Sequence, residues 1–66
     1  MSSEDELRSV EQVVERLSAK FARIPSQRVS EVVSATYHEF DGAPIRDFVP
    51  IMVERSATDR LAQLIA

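Results

Sequence analysis

Three side chains in the stretch "HEFD", His38, Glu39 and Asp41, are of the types that hold a metal ion or pair a base with an orienting acid. His38 is the chain's single histidine, and no second acidic or histidine cluster elsewhere completes a coordination sphere. On a helical wheel His38 falls on the polar side of its segment, roughly opposite Val29, and Glu39 points in a different direction. A solvated surface is the better reading of this trio. Glu11 and Glu15, one helical turn apart, have the look of paired acid-base carboxylates. Glu4 with Arg8 and Arg8 with Glu11, however, have the spacings of ordinary surface pairs, which favours a salt-laced outer face. The chain has no cysteine, which removes a thiolate nucleophile, a thiolate metal site and any disulfide. Its one glycine cannot build a phosphate-cradling loop, and none of its serines stands in a nucleophile-elbow sequence. The expectation is a non-enzyme: no catalytic, cofactor-binding or metal-binding residue, no cofactor and no small-molecule substrate.

Composition narrows the partners. With 66 residues the chain makes one domain near the lower size at which a single hydrophobic core suffices. The 8 basic and 11 acidic residues give a net charge of -3, the wrong sign for a nucleic acid or an anionic membrane surface. The N-terminal "MSSEDELRSV" is acidic where a targeting peptide would be basic, and no apolar run approaches the roughly 20 residues that span a bilayer. A cytoplasmic protein with no nucleic-acid and no membrane partner is expected.

The elements that carry these side chains follow from hydrophobic spacing. Three segments have helical period and none alternates strictly enough for a strand, so the fold class is all-α, a small three-helix bundle forming one domain over residues 1–66, with helices at about 4–23, 27–40 and 47–64. Leu7, Val10, Val14, Leu17 and Phe21 form the apolar stripe of the first segment, and Ser3 with Glu6 forms a possible capping box at its start. In the second segment Ser26, after Pro25, is a good N-cap. Val29, Val33, Thr36, Tyr37 and Phe40 share one side there, with Val32 at its margin. Asp41-Gly42 is expected to close that helix through a left-handed glycine. Leu17, Phe21, Val33, Tyr37, Phe40, Phe48 and Val53 are expected in the core.

The third helix is unusual. With Asp47 as its cap, Pro50 falls inside the first turn, where a missing N–H costs no helical hydrogen bond. Val49, Val53, Ala57 and Leu61 form a chain of i+4 steps, Phe48 and Met52 lie together, and Ile51 and Ile65 fall outside both sets. One core cannot cover so broad an apolar surface, which makes Ile45, Phe48, Val49, Ile51 and Met52 candidate interaction residues and a homodimer the expected state. A helix, "DGAP" and another helix also suit a DNA-binding helix-turn-helix. The second helix, though, would offer "DFVPIMVE", an acid and large apolar groups, to a polyanion, with Arg46 the sole nearby base.

"VERLSAKF", then a proline-led helix containing "VVSATYHEF", then "DGAPIRDFVPIMVER", cover roughly Val13 to Leu61. In that order they resemble a small actinobacterial family of three-helix bundle dimerisation domains. That family occurs as small stand-alone proteins and is similar to the N-terminal extension of some arsenate-reductase or low-molecular-weight tyrosine-phosphatase-like proteins. The resemblance rests on packing and capping residues, so it implies a fold and a self-association or protein-interaction role and names no chemistry. Those phosphatase-like proteins act through a cysteine-containing phosphate loop, and this chain has no cysteine onto which such a role could be carried. The alternatives to self-association are an accessory domain ahead of such a catalytic domain and a small helix-turn-helix regulator.

Overall fold

Helical spacing in three segments produces three helices. The computed structural model describes residues 3–42 and 45–65, apart from the Ser3 side chain. It contains α1 (Ser3–Lys20), α2 (Ser26–Glu39), a 3-10 turn (Arg46–Phe48) and α3 (Val49–Leu64). Among the described residues there is no strand. Each helix packs against both others, which makes a small all-α three-helix bundle.

The core draws one face from each helix. From α1 come Val10, Val13 and Leu17, from α2 Val29 and Val33 beside Thr36, and from α3 Val49, Val53, Ala57 and Leu61. The four α3 residues are the i+4 series expected from the sequence, and each is 0% exposed. Phe21 and Ile24 complete the core from the connection between α1 and α2. There the Phe21 N–H donates to the Leu17 carbonyl at 2.8 Å and the Ile24 N–H to the Phe21 carbonyl at 2.9 Å. These tight turns fold the chain back so that both apolar side chains reach the core.

Several expected details differ. The α1 stripe keeps Val10, Leu17 and Phe21 but runs through Glu6 and Val13 in place of Leu7 and Val14: Glu6 and Val13 are buried, Val14 is half-buried and Leu7 is 49% exposed. Steps of three and four fit 6–10–13–17–21 as well as 7–10–14–17–21, and the partners of Glu6 described below select the first. Leu17, Phe21, Val33 and Val53 are buried as expected, whereas Tyr37 and Phe40 are half-buried and Phe48 is exposed. Phe48 ends the 3-10 turn and Val49 begins α3, so the two neighbours point different ways, Val49 into the core and Phe48 to solvent.

Helix ends also differ from expectation. Pro25, at φ -54° and ψ 141°, occupies the N-cap position of α2, and its carbonyl accepts from the Arg28 and Val29 N–H groups at 2.9 and 3.1 Å. Ser26 is therefore the first helical residue and its side chain makes no cap bond. Asp47 does not cap α3 either. It lies inside the 3-10 turn, whose Arg46 carbonyl accepts the Val49 N–H, leaving Pro50 second in α3 with no donor required of it. Gly42 does not take the left-handed conformation. Instead α2 tightens, Phe40 N–H donating to Tyr37 O at 3.0 Å and Asp41 N–H to His38 O at 3.3 Å. The Ser3 half of the expected capping box lies outside the described residues, as do Ala43 and Pro44.

Gly42 thus has no conformational need to be glycine, and a Cβ there would meet nothing within 4 Å. Gly42→Ala removes freedom from the unfolded chain and should stabilise by about 0.4–1 kcal/mol in thermal or denaturant unfolding. A clear loss of stability would mean that glycine's freedom is needed to end α2.

Candidate interaction surface

The fold brings some of the residues with chemical promise together and parts others. His38 is exposed, with Nδ1 at 3.6 Å from Asp41 Oδ2, while Glu39 accepts from Arg60 Nη2 at 2.7 Å. His38 and Asp41 therefore face each other while Glu39 turns away to Arg60, and no cluster of three or more such groups suited to a metal occurs among the described residues. A groove of about 260 Å³ along the α1/α2 seam brings Glu11 near Ser34 and His38. No hydrogen bond joins these three side chains, so no base is poised on a nucleophile.

What the fold does assemble is a polar clasp that sequence spacing did not reveal. The Glu6 carboxylate of α1 is buried and accepts the Tyr37 hydroxyl proton from α2. It also accepts Arg46 Nε–H at 3.1 Å on Oε2 and Arg46 Nη2–H on Oε1, a two-pronged pairing from the 3-10 turn. The remaining prong, Arg46 Nη1–H, donates to the Phe40 carbonyl at 2.6 Å and the Asp41 carbonyl at 3.1 Å. Arg46 therefore closes the end of α2 in the role expected of Gly42. These bonds fix the ionisation of the clasp. Hydrogen bonds from Arg46 first and Tyr37 second hold the Glu6 carboxyl below its ordinary value of 4.5, against the opposing effect of burial. Donation to Glu6 pushes the Tyr37 hydroxyl up.

Arg46 reaches inward, and its neighbours are left outside. Ile45 is 57% exposed, Phe48 56% and Ile51 65%. They stand at every third residue across three backbone conformations: Ile45 is extended, Phe48 ends the 3-10 turn and Ile51 lies in the first turn of α3, so the row is one of sequence. Met52 is half-buried beside the core. Of the expected interaction residues, Val49 alone offers no surface: its side chain is entirely within the chain's own core. Leu64 and Ile65, each 50% exposed, add apolar surface at the far end of α3, and Leu7 adds some on α1. Ile65 stood out from the i+4 series in the sequence; Leu64 lies beyond the end of the packed stripe and gave no such signal.

The clasp generates a pH prediction. A carboxyl whose folded pKa lies below its unfolded value stabilises the fold at pH above the unfolded value, and this stabilisation is lost as pH falls through the folded one. Glu6→Gln should lower Tm at neutral pH, and the gap from the natural chain should shrink from about pH 4.5 downward. Parallel thermal melts at neutral pH and about pH 3 test this. A gap of constant size would mean that the Glu6 charge contributes nothing.

No helix among the described residues is long and apolar enough to cross a membrane. No family model matches the chain, and no match was found among curated proteins or solved structures.

Proposed function

We propose that this chain is a non-catalytic self-association module whose contact face is built on the segment from Ile45 to Met52 and the outward side of α3. The supporting observation is the row Ile45, Phe48 and Ile51, each more than half exposed although Val49 and Val53 between and beside them are fully buried. Scattered surface hydrophobics need no explanation, but three large exposed ones within a single short segment are a candidate contact face. Two charged groups in and beside this segment do structural work, Arg46 holding Glu6 and Glu54 accepting from Arg16 at 3.0 and 2.7 Å, while Asp47 and Arg55 are exposed. A surface with structural cations and outward apolar groups suits a protein partner better than a small polar substrate.

Covering the exposed half of one such side chain contributes on the order of 1 kcal/mol. A symmetric pair counts each residue twice. Against an association cost of at least about 4 kcal/mol, the row alone makes a weak contact, so a longer stretch of α3 must share in it.

Tm should rise with protein concentration, because two folded chains then stabilise each other by mass action. Ile51→Asp should weaken association by about tenfold or more while circular dichroism at high concentration keeps its helical signature. Unchanged association of Ile51→Asp by sedimentation equilibrium would remove the row from the contact.

A further inference from the structure

Beyond the row at its start, α3 carries an outward stripe of Ile51, Arg55, Thr58 and Ala62, with Phe48 just before the helix at the end of the 3-10 turn and Ile65 just after it. All are exposed except Thr58, which is partly so, and the stripe lies on the side of α3 opposite the buried Val49, Val53, Ala57 and Leu61. The steps along it are three, four, three, four, three, the spacing of a helix-pairing seam. That series reads the same in both directions, with its midpoint between Ser56 and Ala57. Laid antiparallel on a second α3 about this midpoint, Phe48 falls opposite Ile65, Ile51 opposite the small Ala62, and Arg55 opposite Thr58.

The charges obey the same symmetry. Asp59 is one residue beyond Thr58, so in the antiparallel register each Arg55 meets Asp59 of the other copy. Both are exposed, and among the described residues neither takes part in an ion pair within the chain. Their neighbours are engaged: Glu54 holds Arg16, Arg60 holds Glu39 and Thr36, and the Thr58 hydroxyl donates back to the Glu54 carbonyl at 2.6 Å. A parallel pairing in register would bring Arg55 against Arg55 and Asp59 against Asp59, which like-charge repulsion disfavours.

We propose that a second copy of this chain docks antiparallel along α3, with apolar contacts at the two ends of the seam and reciprocal Arg55–Asp59 pairs at its centre. The register rests on the self-association reading above and adds the geometry of the partner. The central polar pairs set direction and alignment, since a shifted or parallel arrangement leaves them unmatched.

The test mixes charge variants of the full chain and reads association by sedimentation equilibrium. Arg55→Asp and Asp59→Arg each put like charges across the seam and should each associate at least about tenfold more weakly than the natural chain. An equimolar mixture should recover most of that affinity as a heterodimer, because each variant supplies the charge the other lacks. Like-charge crowding within one helix cannot be relieved by mixing, so recovery identifies pairing between chains. If the natural chain associates but the mixture does no better than either variant alone, the register is wrong and self-association stands. If the natural chain stays monomeric at about millimolar concentration, self-association falls and the register with it. Should a charge variant fail to fold, the cysteine-free chain allows a second reading. Ile51→Cys mixed with Ala62→Cys should form the mixed disulfide faster than either forms its own, and faster Ile51→Cys self-linkage would overturn the antiparallel register.

Discussion

The Arg46 guanidinium is the constraint on which the rest depends. It joins three elements at once: the buried Glu6 on α1, the Phe40 and Asp41 carbonyls at the end of α2, and its own 3-10 turn leading into α3. A chain with so few residues has little apolar area with which to fix helix orientation, and a forked donor with three separated acceptors fixes it by geometry. The two other seams carry their own polar link, Arg16 to Glu54 between α1 and α3, and Arg60 to Thr36 and Glu39 between α2 and α3. The ion pairs in those two, Arg16–Glu54 and Arg60–Glu39, have side chains a third or more exposed and add little stability. The Glu6 clasp is the one in which a carboxylate is buried, and a buried charge deprived of its partner is costly.

That division of labour suits the core. Six of its residues are valines, Val10, Val13, Val29, Val33, Val49 and Val53, whose branched side chains form helices less readily than leucine but have little rotamer freedom to lose on packing. The helices therefore draw their stability from one another. Larger apolar groups, Phe48, Ile51, Ile45, Leu64 and Ile65, stay outside. The inward turn of Arg46 leaves Ile45 and Phe48 facing solvent, so the same contact that closes the bundle presents the surface proposed for a second copy.

Much of the fold could be read from spacing because in α3 Val49, Val53, Ala57 and Leu61 recur every fourth residue and all are fully buried, although the breadth of apolar surface around them also put Val49 among the candidate contact residues. The first helix was harder for a physical reason. Glu6 occupies a core position, and a hydrophobic pattern passes over a carboxylate in favour of the neighbouring Leu7. The clue was the alternative stripe through Val13, which starts on Glu6, together with a tyrosine that could bring a hydroxyl to it. Phe48 misled in the opposite direction, since its size suggests burial, yet it ends the 3-10 turn with its side chain outside. Gly42 has the form of a helix-ending glycine, yet an arginine four residues on does that work through a contact no local pattern encodes.

Concentration-dependent amide chemical shifts of the natural chain test the central claim most directly, because they show whether the face left outside by the Arg46 clasp is the face that meets another molecule. The account predicts shifts that move with concentration along Phe48, Ile51, Arg55, Thr58, Ala62 and Ile65 while the amides of Glu6 and Tyr37 stay still. Spectra that do not change with concentration, or changes confined to the α1/α2 groove at Leu7, Val14 and Ser34, would contradict it.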